Sequence, residues 1–200
     1  MTLTRKELAS IEAWIDSAKL LDGIYYRSVE YRFMDPAEVL NGKGTATYGG
    51  RFASVGTRAV FLAASDAAAA EEVLARKSRL GDNAQITLAK YPRIVFGVNV
   101  SLQRVLDLSK TGLPKEFAIV RKACLDPDAL APSMELGDVL QERSIQGLIF
   151  PSAIGTGKNL IVYLNLCQPT ALEIHNAAEL MKKMRQITRK PVAKSLSEKS

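Results

Sequence analysis

The sequence predicts an α+β domain. Short apolar strands and amphipathic helices both recur along its 200 residues without βαβα alternation, and a composition of 47% apolar and 24% charged residues is that of an ordinary globular chain. A chain of this length is expected to build one domain around a hydrophobic core.

The elements follow in order. Thr4-Arg5-Lys6-Glu7 reads as a capping box, in which the Thr hydroxyl and Glu carboxylate satisfy free helix N–H groups reciprocally. Leu8, Ile11, Trp14, Ile15, Ala18 and Leu21 follow at helical spacing, so residues 1–22 are expected to form an amphipathic helix packed on the domain. Residues 24–27 read as a first strand, and Asp35-Pro36-Ala37-Glu38 opens a short helix with Asp as cap. Five glycines within 41–57 predict a loop that turns tightly or approaches a ligand closely. Residues 59–63 form a strand, and Ser65 caps a helix over 66–79, rich in Ala and Glu. Strands are expected at 86–88 and 94–100, paired about Tyr91-Pro92, and a helix at 113–122. Further strands cover 145–150, 160–166 and 170–174, and a last helix covers 177–187.

Charge and composition narrow the function classes. The formal net charge of +6 resides in residues 181–200, where Lys182, Lys183, Arg185, Arg189, Lys190, Lys194 and Lys199 face Glu198 alone. Residues 1–180 are therefore neutral, and the basicity belongs to a tail. Cys124 and Cys167 have no metal-type spacing and read as small core residues. The single histidine, His175, excludes a two-His metal site, argues against a Ser-His-Asp triad, and reads as a polar residue closing a strand. The polar first residues give no signal region, and no apolar stretch is long enough to span a bilayer, so a cytoplasmic protein without membrane association is expected.

Four segments invite a chemical reading. Gly155-Thr156-Gly157-Lys158-Asn159 suggests a phosphate loop, but Ser152 and Asn159 stand where that loop needs Gly and Ser/Thr, so a turn between strands is the better reading. Tyr48-Gly49-Gly50-Arg51-Phe52 joins a free backbone, a rigid guanidinium fork suited to pyrophosphate, and flanking aromatics; alone it is equally a β-turn. Glu71-Glu72 lies in the alanine-rich helix, and residue type does not choose between the two. Pro151-Ser152-Ala153 puts a small hydroxyl at a strand end, a ligand contact or simply a turn.

In order and spacing, these segments resemble the RES-domain family. The resemblance rests on Tyr26-Arg27, Tyr48-Gly49-Gly50-Arg51-Phe52 with Gly56, and Val60-Phe61-Leu62-Ala63-Ala64-Ser65. It continues through the helix 67–74, Phe150-Pro151-Ser152-Ala153 and Tyr163-Leu164-Asn165, covering roughly residues 24–170. It departs at Phe52, where the family usually has Trp, at Phe61, usually Tyr, and at Leu166, where an Asn-Pro pair commonly ends the domain. The resemblance implies an ADP-ribosyltransferase-like mixed sheet with flanking helices. It divides the chain into the N-terminal helix at 1–22, a RES domain at 23–176, and a C-terminal helix with basic tail at 177–200. It implies a NAD-consuming toxin, a NAD glycohydrolase or phosphorylase without metal, neutralised by an Xre-type helix-turn-helix antitoxin. ADP-ribosyl transfer to a cellular protein is the alternative.

The family register selects Glu72, ahead of Val73-Leu74, as the key carboxylate. Arg27 and Tyr48 join it as catalytic residues, and Arg27, Tyr48, Arg51, Phe61, Ser152 and Asn165 are implied to bind NAD. Glu72 would stabilise positive charge developing on the ribose. Arg27 and Arg51 would hold phosphate oxygens, Tyr48 and Phe61 would flank the nicotinamide, and Ser152 would hydrogen-bond ring or ribose. A second class stays open: a non-catalytic, nucleic-acid-associated module using the basic tail, which lacks the aromatic interleaving suited to base stacking.

Overall fold

Two long segments of β-forming residues build the frame of the molecule. The structure is a computed structural model that describes residues 5–79, 91–110, 121–122, 125–126, 129–152 and 157–189, with side chains except at 5–8, 74–79, 183 and 185–189. The helices are α1 (Arg5–Ile15), α2 (Lys43–Tyr48), α3 (Asp66–Arg79), α4 (Ala131–Glu142) and α5 (Ala177–Arg189). The strands are β1 (Lys19–Glu30), β2 (Ala59–Ala63), β3 (Arg93–Asp107), β4 (Gly147–Pro151), β5 (Lys158–Tyr163) and β6 (Leu172–Ile174).

β1 and β3 pair antiparallel from Lys19↔Val105 to Glu30↔Arg93. The sheet order is β1-β2-β5-β4-β3-β6, and the extra β1–β3 pairing closes the first five strands into a ring. All neighbours are antiparallel except β3 and β4. A bulge at Gln103-Arg104 lets β3 leave β1 and take up β4. Its two N–H groups donate to Gln146 Oε1 at 2.6 and 3.3 Å.

Strand alternation sends side chains two ways. Val29, Val60, Leu62, Val98, Val100, Leu160 and Val162 pack against one another within the ring. The other face of β2, β4 and β5 carries Phe61, Phe150, Ile161 and Tyr163, covered by Ile11, Trp14 and Ile15 of α1 and Leu136 and Leu140 of α4. The Glu12 carboxylate accepts from the Arg143 guanidinium, which ties α1 to the end of α4.

Several elements differ from expectation. The first helix stops at Ile15, because Ser17 donates through both its N–H and its hydroxyl to Trp14 O, at 2.9 and 2.7 Å. Leu21 therefore lies in β1, opposite Leu102. Thr4 of the expected capping box lies outside the described residues. At Asp35 the chain makes a turn instead of a helix, with Asp35 Oδ1 accepting from Ala37 N at 3.0 Å. The glycine-rich 41–57 segment, read as loop, contains α2. The partner of β3 is β1, not a hairpin about Tyr91-Pro92; residues 86–88 and 113–120 lie outside the described residues. Helix α4 was not anticipated, although Pro132 in its first turn and buried Leu136 and Leu140 give it a start signal and an apolar face. The strand expected over 160–166 ends at Tyr163 in a 3-10 turn. No helix among the described residues is long and apolar enough to cross a membrane.

Candidate active site

Helix α3 follows β2 after a two-residue turn, and Ser65 caps it by accepting from Ala68 N through Oγ at 3.1 Å. Ala68 and Ala69 lie four and three residues before Glu72 and so share its helix face. They pack on Ala63 of β2 and Tyr26 of β1. Small side chains thus let the helix lie close to the sheet and carry Glu72 onto it. Glu71, one residue earlier on the helix, is exposed.

The sheet register supplies what Glu72 meets. Tyr26, Ala63, Asn159 and Phe150 are consecutive cross-strand partners through β1, β2, β5 and β4, so their side chains share one face. Glu72 Oε1 accepts from Asn159 Nδ2 at 2.7 Å and from Ser152 Oγ at 2.6 Å. Ser152 is held in turn by its own N–H, which donates to Gly157 O at 2.9 Å across the β4–β5 hairpin. Both side-chain donors reach the same oxygen, and Oε2 accepts no hydrogen bond among the described residues. The result is a carboxylate fixed through one oxygen, with the other unengaged by the described residues.

Arg27 follows Tyr26 on β1, beside the single β1–β2 pair Tyr26↔Ala63. Its Nη1 donates to Phe61 O at 3.0 Å, and its buried Nε has no partner among the described residues. Burial, with the Arg93 charge as a lesser cause, pulls the guanidinium down to about 10, so it keeps its charge at neutral pH.

The glycine loop forms the next wall. Gly49 ends α2 at φ 65°, and Gly50 and Ala53 exchange backbone hydrogen bonds at 2.9 and 3.1 Å, a tight turn. A Cβ on Gly50 would stand 3.4 Å from Phe61 Cζ, so this turn rests on the Phe61 ring. Phe61 also meets Phe150 edge-on, at 6.5 Å between centroids. Tyr48 is 84% exposed, and Arg51 Nη1 donates to Leu125 O at 3.3 Å. Phe52 is fully buried against Phe150, so the aromatic flank on that side is core.

The structure brings together Glu72 and Ser152, and adds Asn159, to which no role was given. It does not bring in Asn165, which is exposed in the 3-10 turn after β5, at the opposite end of that strand from Asn159. The four strand steps from Asn159 to Tyr163 alone span about 13 Å. The signal for Asn159 was present: Ser152 and Asn159 are the two residues that break the phosphate-loop pattern. His175 follows β6, its Nδ1 2.9 Å from Asn99 Oδ1, and burial pushes the Cys167 thiol up to about 11, which leaves it protonated at neutral pH. Among the described residues no three His, Cys, Asp or Glu side chains group as a metal site.

Comparison with known families gives a match to the RES domain over residues 30–183. Tyr26 and Arg27 lie just before the matched span. Comparison with curated proteins gives no match. Among solved structures, a chain from the crystal structure of the M. tuberculosis MbcT–MbcA toxin–antitoxin complex superposes with a TM-score of 0.72 at 20% identity, covering 92% of this chain and 100% of that one. At that identity the likeness is one of fold.

Proposed function

The chain belongs to the RES-domain family, and from that membership and the Glu72 geometry we propose that it is a NAD-consuming toxin that breaks the nicotinamide–ribose bond and is restrained by a cognate Xre-type antitoxin. The observation that carries this reading is a carboxylate anchored through one oxygen by Ser152 and Asn159, with its second oxygen unengaged among the described residues. An ADP-ribosyltransferase-like organisation belongs to the same proposal, with residues 1–22 and 177–200 flanking a RES domain at 23–176. The toxin–antitoxin complex that shares the fold supports the partner assignment.

In this reading the bond from the ribose C1′ to the nicotinamide ring nitrogen breaks, its electron pair returns to the ring, and nicotinamide leaves neutral. The ring needs no proton, and none of these residues has to act as an acid. C1′ gains oxocarbenium character, and the anionic Glu72 stabilises it, as glycosidase carboxylates do. The cationic Arg27, whose buried Nε–H is uncommitted among the described residues, and Arg51 hold the pyrophosphate. Phe61 and Tyr48 border the nicotinamide. Water or inorganic phosphate then bonds to C1′ through oxygen and releases its proton to solvent.

A proton NMR time course with NAD, with and without inorganic phosphate, tests the reading. Nicotinamide release by the wild-type chain is expected, and the ribose-side product identifies the acceptor. Glu72→Gln keeps the acceptor oxygen for both donors but loses the charge, so kcat should fall at least about 100-fold with KM little changed. Glu71→Gln should stay within about twofold of wild type. Normal turnover by Glu72→Gln would remove Glu72 from the chemistry. Absence of release in either buffer would overturn NAD cleavage with water or phosphate and direct the search to labelled ADP-ribose transfer onto a protein.

A further inference from the structure

Resting on the NAD-cleaving reading, we propose that Asn159 is a positioning residue that, together with Ser152, locks Glu72 in one rotamer so that Oε2 remains the oxygen presented to the reacting ribose. Three features support it. The amide donates to the same oxygen as Ser152, at 2.7 Å beside 2.6 Å, so among the described residues the carboxylate is pinned from one side. A strand is an unfavourable place for asparagine, and this one stands in β5 between two apolar partners, Ala63 and Phe150. Its surroundings are small: a Cβ on Gly157 would lie 3.1 Å from Ala68 Cβ, so α3 is pressed onto the hairpin that carries Asn159.

The residue type fits the task. A lysine or arginine at this place would pair with Glu72 and draw its charge away from C1′. A neutral amide holds the carboxylate and leaves the full negative charge for the cation that develops in the transition state. Freezing the rotamer beforehand spares the reaction that ordering step.

The test is steady-state nicotinamide release by Asn159→Ala, Asn159→Asp, Glu72→Ala and the double variant Glu72→Ala/Asn159→Ala. Asn159→Ala should lower kcat about 10-fold, the size of one hydrogen bond to a charged group, with KM within threefold. Asn159→Asp keeps the shape without the donor and should fall at least as far; it carries the test if the alanine variant fails to fold. In the Glu72→Ala background, removing the Asn159 amide should change turnover less than twofold, because the group it positions is gone. A full 10-fold loss in that background, or a rise in KM at unchanged kcat, would overturn the positioning role. Wild-type release with Asn159→Ala at the wild-type rate would overturn this inference alone. A wild-type chain that releases no nicotinamide would overturn the NAD reading and this inference with it.

Discussion

Arg27 shows how a functional group is held against the interest of stability. Its side chain is largely buried, and among the described residues it forms no ion pair and its buried Nε has no partner. Because burial lowers its folded pKa to about 10, the unfolded chain binds the proton more tightly. The linkage term therefore makes stability rise with pH between about 10 and the unfolded value, and at neutral pH the full cost is present. Arg27→Met keeps the length and removes the charge. The desolvation cost relieved exceeds the roughly 1 kcal/mol of the hydrogen bond lost at Phe61 O. The expected outcome is a higher midpoint in chemical denaturation together with at least a 10-fold rise in KM for NAD; a variant that is less stable would show that the charge is compensated. At this scale the sequence was only partly legible. Glu72 and Ser152 were named because each stands in a local motif. Asn159 was not given a role, because its meeting with Glu72, 87 positions away, is made by the β2–β5 register and the docking of α3. Asn165 was named from its motif, and that motif does not report which end of β5 it occupies.

Elements decide whether the glycine loop is a wall or a free turn. Gly137 lies in the middle of α4, where alanine would normally gain about 1 kcal/mol of helix propensity. A Cβ there, however, would stand 2.1 Å from Phe52 O. The same carbonyl accepts from the buried Tyr163 hydroxyl at 2.9 Å, so the loop is held from the sheet side as well. Overlap with a pinned backbone atom outweighs propensity, and Gly137→Ala is expected to destabilise by about 1–3 kcal/mol in a denaturant titration. Its KM for NAD should rise too, since the loop moves relative to Phe61; a stabilised variant would mean that α4 shifts freely. Strands and helices with strong local signals, β2 and α3 above all, were readable to the residue. Helix α4 received no reading from the sequence: Pro132 and Gly137 are residue types that weaken a helix pattern, whereas the glycine is there for close approach to Phe52. The pairing of β1 with β3 depends on contacts across some seventy intervening residues, and no local pattern reports it.

At the scale of the molecule, two packed layers share the β2–β5–β4 sheet, and the N-terminal helix belongs to the outer one. Ile11, Trp14 and Ile15 are almost fully buried, in one cluster with Leu136, Leu140, Ile161 and Tyr163. The amphipathic pattern gave the helix and its packing, but not whether it covers this core or a partner. Burying each such side chain contributes about 1.5–3 kcal/mol, so the three together are comparable with the whole net stability of a small domain. Their absence would also bare the outer face of the strands whose ends carry Ser152 and Asn159. Deleting residues 1–15 is therefore expected to abolish cooperative unfolding and bring dye-binding apolar surface into solvent, with nicotinamide release lost as a consequence. The Glu12→Ala variant separates the causes: Glu12 is half-exposed, and its carboxylate is held below its ordinary pKa chiefly by the hydrogen bond from Arg143. A lowered carboxylate pKa means that this contribution is present above the unfolded value and is lost as pH falls through the folded one. Removing it should leave the cooperative transition and turnover intact at pH 7, with a small drop in melting temperature that disappears in acid. A truncated chain that still unfolds cooperatively and releases nicotinamide would show that α1 is an appendage and that the α4 layer closes the core by itself.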